Sequence, residues 1–168
     1  MSTTFILKPK WGKVEKIPLK WSKVEEANRM NGTYEHALDT KNRLSMPARL
    51  REEIGDCFYL AMGADECLTI YPMSAWEDLC RRADELEEEE DREAMEVFFG
   101  QAYRCVVDSQ NRIVIPPLLR EYAQLEKDVV VVGANNVARI WSAERWAEKV
   151  ATYMTPAKMK ALARKVRL

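Results

Sequence analysis

The chain has 168 residues, of which 32% are charged and 47% hydrophobic, a balance typical of a soluble globular protein with one or two small domains. Its net charge is −1, so the overall charge gives no reason to expect nucleic-acid binding. No apolar run approaches the roughly 20 residues of a membrane-spanning helix, and the N-terminus lacks a signal-peptide pattern, so we expect a cytoplasmic protein without membrane contact.

Residues 1–29 form a basic extension. They carry seven lysine or arginine residues against three glutamates, a net charge of +4 that leaves −5 on the rest of the chain. The extension contains a small repeat, Lys-Trp-x-Lys-Val-Glu, at 10–15 and at 20–25. Nucleic-acid contacts elsewhere in the chain would have to come from local basic loops, multiplied by self-association.

The most informative feature is an internal repeat. Residues 37–52 can be aligned with residues 106–121 without a gap. The aligned identities are Asp39/Asp108, Asn42/Asn111, Arg43/Arg112, Pro47/Pro116, Leu50/Leu119, Arg51/Arg120 and Glu52/Glu121. After a shift of one residue, Gly63, Ile70 and Trp76 correspond to Gly133, Ile140 and Trp146. The pattern predicts two tandem copies of one module.

Each copy opens with a polar turn, Asp-x-x-Asn-Arg, in which asparagine can take the left-handed conformation and aspartate can close an Asx-turn. A short strand follows, and a proline then ends the strand and suits the first turn of a helix. Two further apolar runs, separated by hairpin-like loops, complete the copy. The predicted strands lie at 44–46, 58–62 and 68–71 and at 113–115, 129–132 and 138–141, and the predicted short helices at 48–54 and 117–122.

Closing helices are expected after the last strand of each copy, with Ser74 and Ser142 as N-caps. In the first copy the helix runs into the nearly all-acidic stretch 84–93, which we interpret as a solvated connector. The predicted organisation is an extension at 1–29, a first module at 34–76, an acidic helical connector at 77–104, a second module at 105–148 and a basic tail at 149–168.

Residues suited to catalysis or metal binding are sparse. There is no C-x-x-C pair, and the single histidine, His36, has no cysteine near it at metal-ligand spacing. We interpret the cysteines at 57, 67, 80 and 105 as reduced and mostly buried. The chain also lacks a nucleophile elbow and a phosphate-binding glycine loop, so we expect no enzyme activity, cofactor, metal or small-molecule ligand.

The paired motif, Asp39 to Arg43 and Asp108 to Arg112, is followed in each copy by β-type residues, a proline and an Arg-Glu helix. In these features the chain resembles the MraZ family of the AbrB-like swapped-hairpin group, over about residues 30–153. The resemblance implies an α+β, mainly β fold built from two tandem swapped-hairpin β-barrel modules with short helices.

In function, the resemblance implies a transcriptional regulator that assembles into rings and binds short direct DNA repeats. The target would be the division and cell-wall gene cluster, including the protein's own promoter, and the usual effect would be repression. The implied partners are double-stranded DNA and further copies of the chain, which places the protein at the nucleoid.

Carried over residue by residue, Arg43 and Arg112 are the main candidates for DNA contact, because an arginine fork suits guanine edges and phosphates. Lys41, Asn42 and Asn111 in the same turns complete the predicted contact at the turns. The two asparagines stand where typical members look to have glycine, which keeps the turn feasible. The position of Lys41 is glutamine in the second copy, so we expect the first copy to dominate binding.

Arg49 and Arg51 are further candidates for phosphate contact, and solvation on a helix surface is an equally open interpretation. Asp39 and Asp108 are assigned as loop organisers rather than catalytic carboxylates. An ordinary surface ion pair with each aspartate is the alternative role of the two turn arginines.

The extension has no counterpart in the family pattern, and we interpret it as translated operator DNA from a start codon placed too far upstream. Tryptophan is encoded only by TGG. If the valine that follows in each repeat is encoded by GTG, its last two bases and the first base of the glutamate codon form a second TGG in a shifted frame. The two TGG triplets are then about ten nucleotides apart, one turn of DNA. The hypothesis requires GTG codons at Val14 and Val24. A disordered basic arm that adds phosphate contacts is the competing interpretation.

The paired basic turns and the resemblance favour a sequence-specific DNA-binding regulator over the other classes of function. The alternative is a structural ring-forming or interaction protein without sequence-specific DNA binding. Binding to repeat DNA that depends on sequence and weakens with salt separates the two, because only the regulator predicts it.

Overall fold

The computed structural model describes residues 29–168 and the backbone pairing of two short antiparallel strands, β1 (Ile6–Leu7) and β2 (Lys16–Ile17). The small repeat at 10–15 and 20–25, and with it our interpretation of the extension, lies outside the described residues. In the part of the chain that is described, no helix is both long and apolar enough to span a lipid bilayer.

The first copy consists of four strands and three helices. Its elements are β3 (Thr33–Ala37), β4 (Arg43–Ser45), α1 (Ala48–Ile54), β5 (Cys57–Met62), β6 (Leu68–Pro72), α2 (Met73–Asp84) and α3 (Glu89–Gly100). The acidic residues Glu89, Glu90 and Asp91 lie in the first turn of α3, where they oppose the positive end of the helix dipole.

The second copy follows the same order. Its elements are β7 (Tyr103–Val106), β8 (Arg112–Val114), α4 (Pro117–Tyr122), β9 (Asp128–Ala134), β10 (Val137–Ser142), α5 (Ala143–Tyr153) and α6 (Pro156–Val166). The basic tail is therefore helical: α6 begins with Pro156 in its first turn, and the Thr155 hydroxyl accepts a hydrogen bond from the backbone N–H of Lys158 at 3.3 Å.

The two short helices confirm the helices expected at 48–54 and 117–122. Each begins directly after a proline that lies two residues beyond the end of the preceding short strand. Each also turns a leucine into the core, Leu50 in α1 and Leu119 in α4. Burial of that leucine holds a helix that is too short to be stable alone.

The predicted N-caps differ between the copies. Ser142 caps α5 as expected, since its hydroxyl accepts a hydrogen bond from the backbone N–H of Arg145 at 3.2 Å. The expectation for Ser74 is wrong, because α2 begins at Met73 and Ser74 lies inside its first turn. In the repeat, the position of Ser142 corresponds to Pro72, which has no side-chain oxygen to accept the bond.

Six strands form one antiparallel sheet in the order β3-β9-β10-β6-β5-β7. The copies interlock in this sheet, because β3 of the first copy pairs with β9 of the second and β7 of the second pairs with β5 of the first. At the centre β6 pairs with β10, with Ile70 opposite Ala138. The expected mixed fold with two tandem copies is confirmed. Closure into the expected β-barrel modules is not seen among residues 29–168, because the pairing of this sheet ends at β3 and β7.

The remaining pair, β4 with β8, forms a separate two-stranded ribbon whose buried side chains enter the same core as the sheet. Most of the core residues come from strands, whereas α3, α5 and α6 bury no residue. The largest fully buried side chains are Phe58, Leu44, Leu50, Leu60, Leu68, Ile70, Ile115, Leu119 and Ile140. Since both copies supply them, the two copies share one core.

The four cysteines are free. Cys67 and Cys105 are buried, and Cys57 and Cys80 are half-buried. Burial raises the pKa of the Cys105 thiol to about 11, because an apolar environment disfavours the thiolate. Cys105 is therefore a protonated core residue at neutral pH.

Candidate nucleic-acid interface

The turn of the first copy is organised by Asp39. Its Oδ1 accepts hydrogen bonds from the backbone N–H groups of Lys41 and Arg43, both at 2.9 Å, and its Oδ2 accepts one from Arg43 Nε at 2.6 Å. Asn42 takes the left-handed conformation that the turn requires, with φ of 55°. The expected Asx-turn is thus present, and the aspartate fixes both the backbone and one edge of the guanidinium.

The second copy repeats this geometry. Asp108 Oδ1 accepts from the backbone N–H groups of Gln110 and Arg112 at 2.9 Å, and its Oδ2 accepts from Arg112 Nε at 3.1 Å. Asn111 has φ of 62°. Two equivalent turns therefore hold two arginines in the same way.

The charge state of both aspartates follows from these bonds. The backbone N–H of Arg43 is the main cause that lowers the pKa of Asp39, and the Arg43 side chain and the Lys41 N–H lower it further. For Asp108, partial desolvation raises the pKa, but the bonds from Arg112 and Gln110 together outweigh it and the net pKa is lowered. Both carboxylates are therefore ionised at neutral pH and can orient the arginines.

The two turns meet on the β4–β8 ribbon. Arg43 lies opposite Val114 and Ser45 lies opposite Arg112, so the arginines are diagonal neighbours, about 7–8 Å apart in backbone position. Beyond the ladder, Met46 N–H donates to the carbonyl of Asn111 at 2.9 Å and Ile115 N–H to that of Asn42 at 3.0 Å. The asparagine of each turn thus extends the pairing of the other copy's strand.

One face of the ribbon is buried and the other is exposed. Leu44 and Ile113 point into the core, and the alternate positions carry Arg43, Ser45, Arg112 and Val114 outward. The Arg43 and Arg112 side chains are 27% and 22% exposed, and Val114 is 57% exposed. Ser45 and Val114 share the face with the arginines and were not singled out from the sequence, although strict alternation after each arginine would have indicated them.

Lys41 and Gln110 are exposed at the tips of the two turns. Asn42 and Asn111 differ in the use of their side chains. Asn111 donates from Nδ2 to the carbonyl of Met46 at 2.7 Å, and its Oδ1 accepts from Arg51. Within residues 29–168, the Asn42 carboxamide makes no hydrogen bond. The two copies are therefore alike in backbone and unlike in the groups that they leave available.

Arg49 and Arg51 lie on α1 with different surroundings. Arg49 is exposed. Arg51 bonds Asn111 and Asp56 through its two terminal nitrogens, and its Nε is buried without a partner in the described part of the chain. The structure thus brings Arg51 to the second turn from the first copy and leaves Arg49 on the solvent side of the helix.

Metal coordination is not indicated here. Within residues 29–168, the histidine, cysteine, aspartate and glutamate side chains form no group of three or more that could hold a metal ion.

Comparison with known proteins gives a consistent match. The family model MraZ, described as "MraZ protein, putative antitoxin-like", matches twice, over residues 30–97 and 98–167. A protein of Heliobacterium modesticaldum named Transcriptional regulator MraZ is 46% identical over 119 residues, 70% of this chain and 83% of that protein. Proteins of the same name from Moorella thermoacetica and Symbiobacterium thermophilum are 44% and 42% identical over 119 residues, 70% of this chain in both cases and 83% and 86% of those proteins.

Proposed function

The chain belongs to the MraZ family, and on this premise we propose that it is a sequence-specific DNA-binding transcriptional regulator. In this proposal it represses the division and cell-wall gene cluster, including its own promoter, as a ring of several copies on short direct repeats. The relatives' shared name, Transcriptional regulator MraZ, supports regulation. Further support comes from the ribbon and its two turns.

The observation that carries the proposal is the outward face of the β4–β8 ribbon. A two-stranded ribbon is narrow enough to enter the major groove of B-DNA, where arginine can bond the O6 and N7 atoms of guanine. On this ribbon Arg43 and Arg112 project from the same face, and Ser45 offers a hydroxyl directly opposite Arg112. The ribbon therefore combines two guanine-reading side chains on a support whose reverse side is locked into the core.

The aspartate of each turn makes the arginine a better ligand. Asp39 bonds Arg43 through Nε alone, and within residues 29–168 the two terminal nitrogens of Arg43 make no hydrogen bond. A guanidinium held at one edge loses less conformational entropy when its outer edge binds a base or a phosphate. Ion pairing with aspartate and contact with DNA are then compatible roles of the same side chain.

Self-association can provide the affinity for DNA that the charge of one chain does not provide. With a net charge of −1, a single copy has a weak electrostatic attraction for DNA. Several copies presenting their ribbons to successive repeats add their contacts, because each further contact is made at a high effective concentration. The proposed ring on direct repeats would meet this requirement.

The first copy contributes more than the second in this proposal. Its turn offers Lys41 and an unengaged Asn42 carboxamide, whereas the second turn has Gln110 and an Asn111 that is bonded to Met46 and Arg51. Arg49 is exposed on α1 and is available for phosphate contact. The role proposed for Arg51 is to hold the second turn as well as to add positive charge.

The test is a gel shift on DNA carrying direct repeats. We expect Arg43→Ala to abolish the shift and leave the size of the assembly unchanged, because one lost guanine contact costs about 1–3 kcal/mol and the loss recurs in every copy. Arg92→Ala, which removes an exposed arginine from α3, is the matched control and should bind as the original chain does.

Two results would contradict the proposal. Normal binding by Arg43→Ala would remove the ribbon as the site. A chain that assembles but shifts repeat and random DNA equally, or neither, would favour the structural ring-forming or interaction protein.

A further inference from the structure

The repeat allows the two halves of the molecule to be compared position by position. In the first half, Trp76 of α2 stacks on Tyr59 of β5, with ring centroids 4.1 Å apart. Helix α3 covers this pair with Phe98 and Phe99, whose ring centroids lie 6.1 Å and 5.5 Å from Trp76. The space between the last helix of the copy and the outer strands is therefore filled by the following helix.

In the part of the chain that the structure describes, the corresponding space in the second half is open. A groove of about 700 Å³ runs between α5 and two strands of the sheet, the outer strand β3 and its neighbour β9. Trp146 and Val129, which lie at the positions of Trp76 and Tyr59, line this groove together with Ala147 and Val150. Val129 is also much smaller than the tyrosine at the equivalent position, so the groove has room for aliphatic side chains from one face of a helix.

The helix that corresponds to α3 does not fill this groove in its own chain. Helix α6 buries no residue, and its apolar face is exposed: Met159 is 44%, Leu162 43% and Val166 55% exposed. These residues follow the i, i+3, i+7 spacing of a helix that is recognised through one apolar face. Within residues 29–168, both the apolar face of α6 and the groove are thus left without a partner.

The order of the elements explains where the partner comes from. Helix α3 follows α2 and precedes β7, the outer strand beside the first groove. Helix α6 follows α5, but the outer strand beside the second groove is β3, near the beginning of the same chain. A helix α6 from a second copy would occupy the same position beside β3 that α3 occupies beside β7.

The charges agree with this arrangement. The groove contains Glu35 and Asp128, and the cavity that adjoins it at Asp128 is lined by further acidic side chains. Those side chains are Glu126, Glu144 and Glu148, alongside Lys127 and an Arg145 that is paired with Glu66. Residues 156–168 contain five lysine or arginine residues and no acidic residue. The basic flanks of α6 therefore suit an acidic rim.

We propose that α6 of one copy docks into the groove between α5 and β3 of the next copy. Each chain gives one helix and receives one, so the contact is head-to-tail, and it closes into a ring when the rotation between neighbours permits. This inference rests on the self-association in the proposed function and is independent of DNA binding.

The test uses one variant for each side of the contact. Ala147→Arg places a long basic side chain in the groove, on an exposed helix position that tolerates arginine. Leu162→Asp places a charge on the apolar face of α6. We expect each variant alone to sediment as a single chain of about 19.5 kDa where the original chain sediments as a larger assembly.

Mixing the two variants distinguishes docking from general damage. The Leu162→Asp chain keeps an intact groove and the Ala147→Arg chain keeps an intact α6, so an equimolar mixture should form a species of two chains and nothing larger. Thr152→Arg on α5 and Ala157→Asp on α6 are matched controls outside the groove and the apolar face, and both should assemble normally. Circular dichroism checks that all four variants are folded.

The inference is overturned if either docking variant assembles normally or if the mixture stays at single chains. Its failure is distinguishable from failure of the proposed function, because Arg43→Ala should leave assembly intact. Conversely, Ala147→Arg should retain weak, sequence-dependent binding to DNA.

Discussion

At the scale of single residues, the two copies share a backbone and differ in side-chain use. Asn42 and Asn111 occupy the same left-handed position in their turns. Of these two carboxamides, only that of Asn111 stabilises the fold through side-chain hydrogen bonds to described residues, because it links the carbonyl of Met46 to the guanidinium of Arg51. A repeat inferred from identical residues therefore does not imply identical roles.

Replacing each asparagine by glycine tests this difference. Asn111→Gly removes two side-chain hydrogen bonds and leaves a half-buried arginine with one partner fewer, so we expect a loss of about 1–3 kcal/mol in the free energy of unfolding. Asn42→Gly keeps the positive φ that glycine adopts readily and should change stability by less than about 0.5 kcal/mol. Urea denaturation of the two variants measures both values, and equal losses would contradict the assignment.

At the scale of elements, local patterns in the sequence predict those turns, strands and helices whose formation depends on residues close by along the chain. The turns, the short strands and the helices α1 and α4 were predicted, because Asx-turns, proline positions and β-type runs act over a few residues. Ser74 was misplaced as a cap because it was chosen by residue type, whereas alignment of the repeat would have put Pro72 at the position of Ser142.

Pairing between the copies was beyond local patterns. The sequence does not show that β3 pairs with β9, since these strands are about ninety residues apart and several apolar strands offer similar faces. For the same reason, the sequence indicates only part of the candidate interface. Arg43 and Arg112 follow from the repeated turn, but their meeting on one ribbon face with Ser45 and Val114 depends on the β4–β8 register.

A close approach of backbones fixes the position of the segment that leads into β3. A Cβ added at Gly133 would lie 2.4 Å from the Asn31 nitrogen and 2.6 Å from the Met30 carbonyl carbon, both backbone atoms. Gly133→Ala must therefore push this segment from the hairpin, and we expect a destabilisation of about 1–3 kcal/mol by thermal or urea denaturation.

Gly100→Ala is the matched control for this prediction. An added Cβ at Gly100, the last residue of α3, meets nothing within 4 Å, and alanine is the better helix former. Gly100→Ala should be neutral or stabilising by up to about 1 kcal/mol. A Gly133→Ala chain as stable as the Gly100→Ala chain would show that the segment before β3 is not held in this position.

At the scale of the whole molecule, the exchange of strands joins the two copies into one folding unit. Neither copy completes its own sheet, because the strand beside β5 is β7 and the strand beside β9 is β3. The shared core contains residues of both copies in contact around the β6–β10 pair. The tandem repeat is thus a feature of the sequence and not a division of the fold.

We therefore expect residues 30–142 to unfold in one cooperative transition. Native-state hydrogen exchange at one protein concentration provides the measurement, with the slowest amides of β5 and β6 compared with those of β9 and β10. The free energies of opening in the two halves should agree within about 1 kcal/mol. A first half that opens independently of the second would contradict the shared core.

Because both turns lie on one polypeptide, their sequences can change independently of each other. In a symmetric dimer of identical chains, every substitution occurs on both sides of the axis. Here a mutation alters one turn alone. The second turn has the neutral Gln110 at the position of Lys41, and its Asn111 is bonded to Arg51, while the first turn keeps its lysine and an asparagine whose carboxamide makes no hydrogen bond within residues 29–168. A tandem repeat on one polypeptide therefore lets the side chains of the two turns diverge, whereas a dimer of identical chains keeps them the same.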